Sequence, residues 1–297
     1  MLAAWQGLAG FEERASIRTW LYRIATNRCL STLRSASRRP ALEWNIPGVR
    51  PPEPTRLGEV AWLEPFPDAL LADASSAPPG PEARYEQAES ISLAFVTALQ
   101  ALPPRQLAVL ILRDVLGFHA SEVAAMLDSS VESVNSALKR ARAGLERTRL
   151  AAGSEPPPAP GSPAEDAIVA RFVSAYSAAD VEALVALLTD DAFMSMPPIP
   201  LEYHGRDVVG GFCASALFGS SRRFDLVPTR ANGQPAFGSY LRAPATPGSA
   251  LAAGSAGPRH GVGLIVIALA GDRVCAMTRF ESSVLPRFGL PLSLPGQ

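Results

Sequence analysis

Residues 102–145 read LPPRQLAVLILRDVLGFHASEVAAMLDSSVESVNSALKRARAGL, and the punctuation of this stretch decides the fold around it. Leu102-Pro103-Pro104-Arg105-Gln106 opens a helix that is expected to turn Leu107, Leu110, Ile111 and Val115 inward, and Gly117 ends it. A short helix from Ser121 should bury Val123, Ala124 and Leu127. Asp128-Ser129-Ser130 then turns the chain, and Ser129 with Glu132 three residues on reads as a capping box. Val131, Val134, Leu138, Ala141 and Leu145 follow three and four apart, the inner stripe of a third helix. Short helix, tight turn and capped basic helix in that order are the pattern of a helix-turn-helix.

On a helix of 3.6 residues per turn the opposite face presents Glu132, Ser133, Ser136, Lys139, Arg140 and Arg147, with Asn135 and Arg142 at its borders. Small polar residues come first and cations later. That order suits a recognition helix, whose first turns reach base edges while later cations meet phosphates. Together with the turn serines, the expected DNA-contacting set is Ser129, Ser130, Glu132, Ser133, Asn135, Ser136, Lys139, Arg140 and Arg142.

Four strings in this region, Leu102 to Gln106, Leu112 to Gly117, Glu122 to Ala124 and Val134 to Arg142, resemble the fourth conserved region of sigma-70 family factors. The resemblance implies that the recognition face binds the −35 promoter element.

Working outward, the chain has 297 residues, 27 Lys and Arg against 28 Asp and Glu, and a net charge of −1, so any nucleic-acid surface must be local. Residues 11–39 are such a locality, with Arg14, Arg18, Arg23, Arg28, Arg34, Arg38 and Arg39 against Glu12 and Glu13. Ser16 reads as a helix cap there. Ile17, Leu21, Ile24, Ala25 and Leu33 are expected toward a core, leaving Arg18, Arg23, Asn27 and Arg34 outward. Cations beside Trp20 and Tyr22 could meet phosphates and stack on unpaired bases, although either ring alone reads more simply as core.

The string FEERASIRTWLYRIATNRCL resembles the later part of sigma region two, which opens and reads the −10 element. The resemblance implies −10 contacts from Arg14, Arg18, Trp20, Tyr22, Arg23, Asn27 and Arg28, with base and phosphate contacts not separated among them. In the family further helices precede this segment and grip the polymerase. Only Met1–Gly10 stand there here, so the N-terminal part of region two is expected to be missing.

Residues 41–88 are proline-rich and poorly periodic, an extended connector spanning roughly 35–40 Å as a flexible coil. Within it, Trp62-Leu63-Glu64-Pro65-Phe66-Pro67-Asp68 is apolar enough to dock, and similar segments in extended sigma factors imply contact with the extra domain. A second break, Glu155 to Gly161, precedes Ser162-Pro163-Ala164-Glu165, a helix start with a Ser cap, Pro at the first position and a capping-box Glu. Ile168, Phe172, Ala175 and Tyr176 share one face of that helix, and Val181, Leu184, Val185 and Leu188 share one face of the next. Val262–Leu269 and Val274–Ser283, parted by Gly271-Asp272, read as a hairpin, so helices first and strands later predict an α+β domain.

Residues 163–297 are similar to SnoaL-like domains, cones of curved sheet and helices related to polyketide cyclases. The likeness rests on Leu184–Asp191, Met194 to Pro198, Tyr203 to Arg206 and Phe288 to Pro291. By analogy with cyclases, Asp190, Asp191 and His204 are the acid/base candidates. Asp190-Asp191 reads more simply as a helix-end cap or the start of a turn, and His204, before Gly205, as a loop residue, and His119 and His260 need no special role. Cys29, Cys213 and Cys275 form no CxxC pair, which excludes a zinc ribbon, fits a reducing compartment and leaves each as a small buried hydrophobe. No apolar run approaches the ~20 residues that span a bilayer.

The expected architecture is therefore multidomain. An all-α sigma region 2 fragment (1–40), a linker (41–88), an all-α helix-turn-helix of sigma region 4 (89–150), a second linker (151–162) and an α+β SnoaL-like domain (163–297) follow one another. The function that follows is that of a cytoplasmic, non-enzymatic sigma factor directing core RNA polymerase to promoter DNA. No cofactor, metal or membrane is implied, and the C-terminal domain is a regulator with room for a small-molecule ligand. The rival is a cyclase or isomerase fused to a DNA-binding remnant.

Overall fold

The computed structural model of the chain describes residues 5–6, 16–35, 42–44, 49–58, 63–72, 92–151, 155–242 and 257–296. Two compact units emerge: the described residues within Met1–Pro40 and Thr97–Ala151, and those within Ala41–Val96 and Ala152–Gln297.

The first unit is helical. It contains α1 (Ile17–Ser35), the end of α3 (Leu93–Ala101), α4 (Pro104–Leu110), α5 (Ala120–Met126) and α6 (Val131–Ala151). Val109, Leu110, Leu112, Phe118, Val123, Met126, Val134, Leu138 and Ala141 form its core, joined by Leu30 of α1. The inner phase of α4 differs from expectation: Ile111 and Val115 are exposed, Val115 by 73%. Leu107 to Leu112 is apolar at every position, so periodicity could not fix which side faces in. Ile111–Val115 is moreover a π turn, closed by Leu116 N–H donating to Ile111 C=O at 3.0 Å, which shifts the helical phase. Val131 is also exposed, at the first position of α6. The cap of α6 is Ser130 rather than Ser129: its Oγ accepts from Ser133 N–H at 3.1 Å.

In α1 the expected pattern holds only in part: Arg18, Arg23 and Asn27 are exposed and Ile24 half-buried as expected, but the rest of the described inner stripe is not buried. Ile17 and Leu21 are exposed, whereas Thr19 and Leu30 are buried. The described part of Ser16 caps the helix as expected, accepting from Thr19 N–H at 3.1 Å. Cys29 is exposed rather than buried.

The second unit is a sheet with helices over one face. Its strands are β1 (Arg56–Leu57), β2 (Leu188–Met196), β3 (Ile199–His204), β4 (Phe224–Ala231), β5 (Gln234–Arg242), β6 (Arg259–Ala270), β7 (Arg273–Phe280) and β8 (Ser293–Leu294). Their order is β1-β3-β2-β7-β6-β5-β4, with β8 on β6; β2 and β7 run parallel and the other pairs antiparallel. Helices α7 (Pro163–Ala178), α8 (Val181–Ala186) and α9 (Arg206–Phe212) supply Ile168, Phe172, Tyr176, Leu184 and Phe212 to a core completed by Phe237, Ile265, Ile267 and Met277 of the sheet. The period of two along β6 sends Leu264 and Val266 to the other face, where they pack with Leu63, Phe280 and Leu285.

Ser162 caps α7 by accepting from Glu165 N–H at 3.2 Å. Glu165 does not close the box on Ser162: it accepts Gly161 N–H and pairs with Arg230, at 2.7 and 2.8 Å. The β6–β7 hairpin forms as expected.

The described parts of residues 41–88 are not a free coil. Arg56 and Leu57 pair with Glu202 and Leu201 at the β3 edge, and Trp44 Nε1–H donates to Val49 C=O at 2.7 Å while its ring packs against Phe212. At the β4 edge, Phe66 N–H donates to Asn232 Oδ1 at 2.8 Å, Asn232 N–H returns a bond to Phe66 C=O, and Pro67 bridges Ala231. A short helix, α2 (Asp68–Ala72), starts with Asp68, which accepts Gly233 N–H at 2.8 Å. Exposed sheet edges carry unpaired N–H and C=O groups, and this segment satisfies some of them at both ends of the strand order. Trp62 lies outside the described residues.

Candidate nucleic-acid interface

The outward face of α6 is built by what holds its back. Val134, Ala137, Leu138 and Ala141 are buried, which leaves Glu132, Ser133, Asn135, Ser136, Lys139 and Arg140 exposed on the other side. The preceding turn uses Asp128 at φ 47°, a left-handed conformation that Asp tolerates, and Ser129 N–H closes it on Ala124 C=O at 2.9 Å. Arg105 of α4 reaches the same turn, donating to Leu127 C=O at 3.0 Å. Ser129 is half-buried and Ser130 exposed beside the first turn of α6. Glu132 is held below the ordinary carboxylate range by its own backbone N–H and then by the Ser130 hydroxyl. It therefore stays anionic near the cationic face, a feature that opposes phosphate at that one position.

Arg142 is different from its neighbours. Its guanidinium forms a bidentate pair with Asp114, Nε to Oδ2 at 2.9 Å and Nη2 to Oδ1 at 2.7 Å. The hydrogen bond to Asp114, and then its charge, raise the Arg142 pKa. An arginine so engaged braces α6 against the π turn. No spacing rule could have paired residues 114 and 142, and Asp114, Arg105 and Asp128 were all absent from the expected site.

Among the second expected set, Arg14 lies outside the described residues. Asn27 and Arg28 are exposed on α1 and Trp20 is half-buried. Arg18, Tyr22 and Arg23 are occupied by the helix-turn-helix itself. The Arg18 guanidinium lies 4.9 Å from the Phe118 ring centroid and donates to Leu116 C=O at 3.2 Å. Tyr22 meets the same ring edge-on at 5.2 Å, and Arg23 pairs with Asp128 at 3.1 Å. Three of the residues expected to read DNA thus have partners in the helix-turn-helix, Asn27 and Arg28 remain exposed, and Ile17 and Leu21 are exposed as well.

In the second unit the acid/base candidates are not in the core. Asp190 and Asp191 belong to β2, not to a helix end or turn; both are exposed, and Asp190 pairs with Arg206 at 2.6 Å. His204 ends β3 instead of lying in a loop, packs against the tilted Phe193 ring and faces Glu202 at 3.6 Å, on the side opposite buried Tyr203. No group of His, Cys, Asp and Glu that could hold a metal occurs among the described residues, and no helix among them is long and apolar enough to cross a membrane.

Comparison with known proteins agrees with the two helical readings. A family model described as "Sigma-70, region 4" matches residues 92–145, and one described as "Sigma-70 region 2" matches residues 1–39. ECF RNA polymerase sigma factor SigG of Mycobacterium tuberculosis is 39% identical over 302 aligned positions, which cover 99% of this chain and 76% of the relative. SigM of the same organism is 30% identical over 147 positions, half of this chain and 59% of its own. The crystal structure of the M. tuberculosis extracytoplasmic function sigma factor SigJ matches with a TM-score of 0.49 at 22% identity, covering 97% of this chain and 89% of that one.

Proposed function

This chain belongs to the ECF RNA polymerase sigma factor family, and on that premise we propose which of its surfaces meets which part of the promoter. As a sigma factor it acts with core RNA polymerase and promoter DNA in transcription initiation. The −35 element is read by the α6 face of Ser130, Glu132, Ser133, Asn135, Ser136, Lys139 and Arg140, with Ser129 at its rim. Arg142 serves as a brace rather than a base reader. The observation that carries this is the exposure of Lys139 and Arg140 on a helix whose opposite side is fixed by buried Val134, Leu138 and Ala141.

The −10 element engages α1 through Arg14, Arg18, Trp20, Tyr22, Arg23, Asn27 and Arg28. Because Arg18, Tyr22 and Arg23 are committed to Phe118, Leu116 and Asp128, that engagement requires α1 to leave the helix-turn-helix. Residues 163–297 form a SnoaL-like regulatory module with a small-molecule ligand, and the Phe66–Asp68 segment ties the connector to it. The protein works in the cytoplasm, where the polymerase is. The cyclase reading has no support from Asp190, Asp191 or His204, none of which points into the core.

Duplex binding tests the first assignment. Affinity for a −35 duplex is expected to fall steeply with salt, the log–log slope reporting the phosphates met. Run-off transcription with core polymerase tests the whole: transcripts starting at a defined promoter are expected, and their absence with intact duplex binding would leave only a DNA-binding protein.

A further inference from the structure

One polar group cluster lies inside the second unit and is used by nothing described above. Arg279 of β7 and Ile265 of β6 are register partners, Ile265 is also opposite Phe237 of β5, and this row faces α7. One row further, Ser239 is opposite Gly263. Gly263 makes the room: a Cβ there would approach Arg279 Nη2 to 3.7 Å and would strike Phe280 C=O at 2.1 Å, and the backbone has φ 153°. The guanidinium consequently reaches over a glycine toward the aromatic core.

There it is half-buried. Nη2 donates to Val262 C=O at 2.7 Å, and no carboxylate among the described residues is within ion-pairing distance. Burial lowers the Arg279 pKa from its ordinary value, opposed by the field of Tyr176 and more weakly by that of Glu281. Ser239 is 1% exposed, and its Oγ lies beside the Tyr176 phenol without a hydrogen bond of ordinary geometry to it or to anything else among the described residues. Tyr176 is fully buried, and burial first, eased by Ser239 and Arg279, holds its phenol well above the usual range, so it remains a donor. Phe172, Phe218 and Phe224 close around Tyr176 at 5.2–5.8 Å.

A guanidinium has five N–H donors, and half-buried Arg279 spends only those of Nη2 on a protein acceptor among the described residues. Its planar fork matches a carboxylate in two-point fashion. We propose that Arg279, Ser239 and Tyr176 form the recognition point for a small aromatic or aliphatic carboxylate, whose apolar body replaces side-chain contacts among the surrounding rings. The carboxylate accepts from the free edge of Arg279 and from the Ser239 hydroxyl, and no proton or bond needs to move. The inference deepens the regulatory reading of this domain and rests on that reading only for its consequence, not for the site itself.

The test uses the full chain and two probes of one shape, benzoate and uncharged benzamide, by calorimetry and thermal melting at constant ionic strength. Saturable benzoate binding that benzamide does not reproduce is expected. Arg279→Met should abolish it and Ser239→Ala should weaken it roughly tenfold, the loss of one hydrogen bond to a charged group. Glu281→Gln, which removes a nearby negative charge, should tighten it. Equal binding of the two probes, no binding of either, or a Ser239→Ala variant that binds like the parent overturns the site. Should Arg279→Met not fold, Ser239→Ala and Glu281→Gln decide. Benzoate that binds yet leaves run-off transcription unchanged supports the site and removes only its regulatory meaning.

Discussion

Helices α1 and α6 are both rich in cations, but they dispose of them in opposite ways. In α6 the apolar stripe faces the core and pushes Lys139 and Arg140 into solvent. In α1 two of the cations are engaged although exposed: Arg18 lies over Phe118, Arg23 pairs with Asp128, and Ile17 at 55% exposure and Leu21 are exposed too. A cation's presence on a helix therefore does not make it available. What frees it is a competing apolar stripe with a core to enter, which Val134, Leu138 and Ala141 have and Ile17 and Leu21 lack here.

The comparison can be broken most severely at the shared core. Val123 is fully buried between α4 and α6, and Val123→Asp is expected to cost more than about 4 kcal/mol by burying an unpaired charge. The helical unit should then lose its cooperative melting in circular dichroism together with all duplex affinity. Retained −35 binding in that variant would mean that α6 does not need its core.

A sharper cut leaves the fold alone. Arg140→Ala should weaken −35 binding by about 1–3 kcal/mol if the side chain reads a base, or reduce the salt slope by about one if it meets a phosphate. Neither change in a fluorescence-anisotropy titration removes Arg140 from the interface. Arg142→Ala should behave differently. Because its fork is spent on Asp114, the melting midpoint should drop slightly and the DNA affinity should hold. A loss of affinity matching that of Arg140→Ala would show that the pair opens on DNA.

The smallest effect is expected at Asp128. Asp128→Asn keeps a side chain tolerant of φ 47° and removes the partner of Arg23. Exposed pairs are worth about 0–1 kcal/mol, so affinity for a single-stranded −10 oligonucleotide should rise by no more than a few-fold. A decrease would indicate that Asp128 presents Arg23 to DNA instead of restraining it.

Sequence legibility tracked how much of each pattern was local. Capping by Ser130 was one residue off because Ser129 and Ser130 are chemically equivalent at that turn, and only the backbone angles choose between them. The Gly271-Asp272 hairpin and the shared face of Ile168, Phe172, Ala175 and Tyr176 were readable because each depends on neighbours within two turns or two strands. The docked connector was half readable. Its apolar Leu63 signalled burial and is buried, but Phe66 is exposed and docks through its backbone, on an Asn232 that is 166 residues away.

By itself, the order of residues determined the helix-turn-helix, the outward set Lys139 and Arg140, and the sigma family of the chain, since helix period, turn chemistry and motif order are properties of short contiguous segments. Only the tertiary structure decided that Arg18, Arg23 and Arg142 are engaged, that Asp190 and His204 stay out of the core, and that Ser239 enters it. Each of those depends on which distant group a long or polar side chain meets, and that is set by packing between elements that the sequence does not number.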